Sequence, residues 1–472
     1  MESLDDIVYP VHTWDASKLY QDIYYVYLRL HGTLDADKIH DALWKLFHIG
    51  EWRKLGGRLK YEHGKLENHV PREFTTERRP FNFAQQLYDY PIVDHSSAGV
   101  FPCAADGVSI KSLPKSLKEL ACGPGFPETM ADLLSQDLPY MSFKVIAFSD
   151  TSILTTSFPH TAWDAFGYMA LIKMLQKVLE CHEDQVLPIL GARNDVLAEI
   201  ASDYKDHRQQ EHVTTNGTDT VPLHQPSAIR QPPLEKRIIC LPRTAIEQIR
   251  DRELLHDDTG RDDEDYGRFG NDELCLAWAF QQIARSEPHP RPIALVNILN
   301  ARFIFPRLSK AKGVYAQNML LFAPNFLSAQ TAAGPLSSTI DAQRNCLDEH
   351  SRPQNAGNVL NSWADTFQEK AWALLSGEIG DSVPVLVNNM DRLLSKFQID
   401  LSLAVIYQDG NMSQSRLAGR PDFLHVARYD VTQSTRSLYL YSTIGGGGDT
   451  YWLSGGLPTQ TWELMMEDLE DL

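Results

Sequence analysis

The chain has 472 residues, of which 43% are hydrophobic, 10% aromatic and 22% charged. That composition excludes a disordered chain, a collagen and a coiled-coil rod, and the length is that of two or three domains at roughly 150 residues each. Basic and acidic residues number 44 and 62, a net charge of −18, which speaks against a general nucleic-acid binder, since phosphate backbones recruit Lys and Arg.

The six cysteines, at positions 103, 122, 181, 240, 275 and 346, contain no CxxC pair. They read as six buried thiols in a reducing compartment, with no structural metal. The start, MESLDD, is acidic and leads into no apolar signal-type run. No stretch approaches the roughly 18 apolar residues of a membrane span. A cytoplasmic protein with no membrane partner is the expectation.

In chain order, Asp22 to Leu30 (DIYYVYLRL) is aromatic and β-branched, as strands are. Asp35 then caps a helix in which Ile39, Leu43, Leu46 and Phe47 recur at helical spacing. Leu55-Gly56-Gly57-Arg58-Leu59 ends it and leads into extended chain. Phe143–Phe148 and Ser152–Phe158 read as strands with a turn near Asp150, and a helix runs from about Trp163 to Leu179. Residues 203–236 are polar and rich in Pro and Gly, a linker composition. The acidic loop 256–272 lacks the spacing of a calcium loop and reads as solvated surface. Asn271 or Asp272 caps the next helix, through Leu274, Trp278 and Ile283. Ile293–Leu299, Leu401–Tyr407 and Ser437–Ser442 read as strands, and a helix from about Pro458 closes the chain. The run Gly445–Gly448 is followed by no Lys-Ser/Thr, so it reads as a hairpin turn rather than a phosphate cradle.

The segment that carries chemistry is SFPHTAWDAFG, Ser157 to Gly167. His160 and Asp164 stand four positions apart where a strand gives way to a helix. An imidazole at such a junction keeps one side wet and titrates near neutrality, as a general base must. Asp164 is placed to brace the segment. A second HxxxD, His31 to Asp35, has nothing chemical beside it, and its Asp is accounted for as a helix cap.

SFPHTAWDAFG at one-third of the chain resembles the HxxxD site of the BAHD acyltransferases, and most of all their fungal branch with the trichothecene 3-O-acetyltransferases. Support is spread along the chain. DADKIHDALWKLF with GGRL is similar to the family's first helix and turn. NDELCLAWAFQQIAR is similar to the helix opening its second domain, and Asn300-Ala301-Arg302 with Pro306 and Tyr315-Ala316-Gln317-Asn318 to its D-x-R…P…Y-x-G-N stretch. There are departures. Ala165 follows Asp164 where Gly is usual, with Gly167 two positions on; Asn300 and Gln317 replace Asp and Gly. The place of the DFGWG signature reads Ser415-Arg416-Leu417-Ala418-Gly419. Pro159 stands where related condensation domains have a further His.

The resemblance implies an α/β fold of two chloramphenicol-acetyltransferase-like domains around an interdomain channel. It divides the chain into an HxxxD domain over 1–205, a crossover over 206–236 and a second domain over 237–472. It implies acyl transfer from acyl-CoA, a co-substrate rather than a tightly bound cofactor, to a hydroxyl or amine of a secondary metabolite, carried out by a monomer. His160 would be the base. Asp164 would turn away to pair with Arg302, supported by Gly167 and Asn318. Arg307, Lys310 and Lys312 form, with Arg302, an acid-free basic run suited to the phosphates of coenzyme A. Trp163 and Tyr315 are candidates to line the acceptor pocket. An intramolecular cyclisation at the same base, without acyl-CoA, is the alternative that the altered DFGWG place leaves open.

Overall fold

The computed structural model describes residues 6–103, 107–113, 115–204, 233–256, 266–363, 381–391, 396–406, 417–428, 438–445 and 449–472. In chain order the strands are β1 (Asp6–Pro10), β2 (Ile23–His31), β3 (Arg58–Glu62), β4 (Lys65–Pro71), β5 (Asn82–Leu87), β6 (Ser109–Ser112), β7 (Ser142–Ala147) and β8 (Thr151–Pro159). Then follow β9 (Leu234–Pro242), β10 (Ile293–Asn300), β11 (Leu320–Leu327), β12 (Val383–Asn389), β13 (Pro421–Ala427), β14 (Leu438–Gly445) and β15 (Thr450–Pro458).

They form three sheets, in the orders β1-β4-β3, β13-β2-β8-β7-β5 and β11-β10-β12-β14-β15-β9-β6. The two larger sheets exchange edge strands. β13, late in the chain, pairs antiparallel with β2, and β6, early in the chain, pairs antiparallel with β9. Each sheet is thus extended at one edge by a strand from the other half of the chain, which ties the halves together.

β8 is the centre strand of its sheet, and all its residues after Thr151 are buried. Its sheet shares one core with the helices Ala36–Phe47 and Ala165–Leu179, which pack on each other. Asp35 caps the first of these by accepting from the Asp37 and Lys38 amides, so the second HxxxD is a helix start. The seven-stranded sheet has its own core, with Trp278 and Trp462 fully buried.

Several expectations from the sequence need correction. The helix Asn271–Ser286 is capped by Gly270, and Glu273 reaches back to the Gly270 amide, so neither Asn271 nor Asp272 is the cap. Residues 402–404 form a short 3-10 turn where a strand was expected, because their backbone is committed elsewhere: Ala404 accepts from Asp35, and Leu401 donates to Gly419. Residue 407 of that stretch lies outside the described residues, as do 257–265 of the acidic loop. The cysteines are unpaired, but only Cys240 and Cys275 are buried; Cys103 and Cys181 are exposed. Cys181 sits just past a helix end with φ at 57°, a surface turn.

β14 and β15 pair antiparallel up to Gly445 opposite Thr450; residues 446–448 of the glycine run lie outside the described residues. The expected crossover is bounded by the helix Val196–Asp203 and by β9, which takes up its last residues from Leu234 on. Among the described residues no helix is long and apolar enough to cross a membrane.

Candidate active site

β8 delivers His160. Its last residue, Pro159, pairs with Ile23 at the start of β2, and the chain then turns through His160–Ala162 into the helix Ala165–Leu179. Two bonds to the segment before β2 hold the turn: the His160 amide donates to the Asp22 carbonyl at 3.0 Å, and Thr161 Oγ1 donates to the Tyr20 carbonyl at 2.9 Å. The His160 ring stacks on Tyr20, centroids 4.9 Å apart, and meets Tyr24 edge-on at 4.6 Å. His160 is half-buried, with Nδ1 turned inward.

Asp164 is buried and fully engaged. Oδ1 accepts from the Gly167 amide at 3.1 Å, capping the helix, and Oδ2 accepts from Arg302 Nη1 at 2.6 Å and the Met319 amide at 3.0 Å. Arg302 is itself buried. Its Nη2 donates to the Tyr315 and Gln317 carbonyls, and its guanidinium lies 4.7 Å from the centre of the Phe166 ring. The pair joins the turn after β8 to the segment between β10 and β11. Asn300 caps the helix Ala301–Ile304 and accepts from Arg302 Nη1 at 3.2 Å, so this side chain does what an Asp would do there. Asn318 Nδ2 donates to the His160 carbonyl at 2.8 Å.

Gly167 has a steric reason: a Cβ there would come within 2.7 Å of the Trp163 Cβ. Trp163 is fully buried, edge-to-face with Phe158 at 5.4 Å, and packs in the core. Tyr315 is half-buried and serves Arg302 through its carbonyl. The basic run is also less available than its composition implied. Arg302 is used by Asp164, and Arg307 pairs with Glu199. Lys310 and Lys312 are exposed.

Of the altered signature, Ser415 and Arg416 lie outside the described residues. Gly419 has φ at +73°, and a Cβ on it would meet the Ser402 amide at 2.2 Å, so only glycine fits. Its amide donates to the His31 carbonyl, at the opposite end of β2 from the strand end that faces Pro159. Nine strand residues at about 3.3 Å each put some 26 Å between that corner and His160. Gly419 of the signature is therefore far from the base.

Sequence reasoning missed Tyr20, Tyr24, Asp22 and Arg428. Arg428 pairs with Asp22, and its charge acts on His160. None of the four stands in a spacing that marks a site.

Burial holds the His160 pKa below its ordinary 6.5, and the Arg428 charge adds to this; its own carbonyl, Asp164 and the Asn318 side chain push the other way. The sign favours a base. The ring is neutral at pH 7, and acidification removes the active form. The expected pH profile of kcat/KM is flat above pH 7 and falls on the acid side with an apparent pKa below 6.5; an acid limb centred above that value would contradict the assignment. Among the described residues, Glu62, Glu67 and His69 on the β3–β4 hairpin could hold a metal ion, but they belong to the three-stranded sheet and not to this site.

No model of a known protein family matches the chain. It is 23% identical over 481 residues to the acetyltransferase adrJ of Penicillium roqueforti, covering 99% of this chain and 96% of that one. It is 25% identical over 491 residues to the O-acetyltransferase PaAT-2 of Phomopsis amygdali, covering 99% and 98%. In fold it matches F. graminearum TRI101, solved with coenzyme A and deoxynivalenol, at a TM-score of 0.63 and 14% identity over 98% of each chain. The expected architecture of mixed sheets with flanking helices is thus that of the TRI101 fold. Related from end to end to fungal acetyltransferases and sharing the fold of TRI101, the chain is an acyltransferase.

Proposed function

We propose that this protein moves an acyl group from acyl-CoA to a hydroxyl or amine of a small secondary metabolite, with His160 as the general base. The observation that carries the reading is the half-buried imidazole at the end of β8, its pKa lowered by burial, beside an aspartate spent wholly on structure. His160 takes the proton from the acceptor as it attacks the thioester carbonyl, and returns it to the leaving thiolate. No acyl-enzyme is needed. Asp164 does not act on the substrate; its three bonds fix the turn from which His160 projects.

The donor reading draws on TRI101, whose structure holds coenzyme A. The names of the relatives speak of acetyl transfer, which favours an intermolecular reaction over cyclisation. The domain division at 206–236, a monomeric state and a cytoplasmic location complete the reading; six unpaired cysteines fit a reducing compartment.

Titration of the protein with coenzyme A tests the donor half. Saturable binding is expected, weakened by added salt and by Lys310→Gln with Lys312→Gln, whose charges stand exposed beside the Arg302 segment. The same pair of substitutions should raise the KM for acyl-CoA and leave that for the acceptor unchanged. Absence of coenzyme A binding would overturn the intermolecular reading.

A further inference from the structure

We propose that Asp15 is a positioning residue for His160, acting through Asn318 to fix which ring nitrogen carries the proton. The inference rests on the reading of His160 as the base, and its test below does not depend on turnover.

Asp15 is buried, and one oxygen, Oδ1, accepts both from the Asn318 amide and from Asn318 Nδ2, each at 2.8 Å. The same Nδ2 donates its second hydrogen to the His160 carbonyl at 2.8 Å. An amide nitrogen has two hydrogens, and both are now spent. The Asn318 side chain therefore has one orientation. Its nitrogen spans Asp15 and His160, and its oxygen is left as an acceptor.

That oxygen is buried and without a hydrogen-bond partner among the described residues, as is His160 Nδ1. The groups that act on the His160 ring include its own carbonyl and the Asn318 side chain. Each offers an acceptor oxygen, and an acceptor turned to the inward nitrogen, Nδ1, would favour a hydrogen there. A neutral imidazole with Nδ1–H keeps its lone pair on Nε2, the nitrogen a base would turn to an acceptor. If the Asn318 amide flipped, its NH₂ would face the ring and favour the opposite tautomer. Asp15 prevents that flip, because a flipped amide would present oxygen to its carboxyl oxygen and to the His160 carbonyl.

Buried Lys54 also acts on Asp15, which offers a competing role for the carboxylate as a counter-charge. Burial pushes the Asp15 carboxyl up to about 7, so its hold on Asn318 does not require a full negative charge. The oxygen is what the proposal needs.

The test is ¹⁵N NMR of the full chain labelled at histidine, with the His160 signals identified by their loss in His160→Gln. The wild type should show the Nδ1–H pattern. In Asp15→Ala the His160 nitrogens should move to the averaged pattern of an exchanging imidazole, and Asp15→Asn, which keeps an oxygen in place, should restore the wild-type pattern. Unmoved His160 signals in folded Asp15→Ala overturn the proposal. So does a loss of the pattern that is equal in Asp15→Asn and Asp15→Ala, since that would make the charge and not the acceptor decisive. Should Asp15→Ala fail to fold, Asn318→Ala removes the relay itself, and a wild-type pattern there overturns the proposal equally. An active His160→Ala enzyme would refute the base while leaving these signals as they are, so the two failures are distinguishable.

Discussion

His160→Ala should lose activity by 10²-fold or more, the order expected when a general base is removed, while the fold is retained. The side chain lies at a strand end, half-buried, and the bonds that hold its turn are made by its backbone: its amide to Asp22 and its carbonyl from Asn318. Alanine keeps both. Truncation removes the ring from between Tyr20 and Tyr24, a contact at the edge of the core. Unfolding curves should therefore nearly coincide with wild type while turnover collapses. Steady-state rates at pH 7 together with denaturant unfolding check both halves of the expectation, and near wild-type turnover would contradict it.

The largest effect on stability should come from the Asp164–Arg302 pair. Both side chains are nearly inaccessible, at 1% and 4%. Removing one partner leaves a buried charge unpaired, which costs about 3–5 kcal/mol. Arg302→Ala also frees the Tyr315 and Gln317 carbonyls, and Asp164→Ala frees the Gly167 and Met319 amides. The two losses overlap at the shared bond. The double variant should be less destabilised than the sum of the singles, by on the order of 1–3 kcal/mol in a double-mutant cycle. Strict additivity would mean the side chains do not meet in solution. Asp164→Asn can keep the cap to Gly167, but its Nδ2 would then face two donors, Arg302 Nη1 and the Met319 amide, so it should be destabilised nearly as much as Asp164→Ala.

Much of this site was legible in local pattern. His160 stands where a strand ends and a helix begins, and Asp164 has a capping residue's position at that helix. The pairing with Arg302 came from a resemblance, because two residues 138 positions apart carry no joint signal in one chain. The same limit hid Asp15, whose partner Asn318 lies 303 positions away, and the exchange of β6 and β13 between sheets. An aromatic at a helix start, such as Trp163, looks the same in sequence whether it faces solvent, ligand or core. Here it is fully buried, packed edge-to-face on Phe158, and its Cβ stands where a side chain on Gly167 would have to go. The basic run was legible as composition, yet composition says nothing of partners, and Arg302 and Arg307 turn out to be paired with acids from other elements.

The most direct test of acyl transfer by His160 is the release of free thiol from acetyl-CoA, followed with and without small alcohol and amine acceptors, for wild type and His160→Ala. Thiol should appear only when an accepted alcohol or amine is present, in a one-to-one ratio to acylated product, and His160→Ala should abolish it. Conversion of a substrate by the wild type with no acyl-CoA in the mixture, or thiol release that His160→Ala leaves intact, would contradict the account.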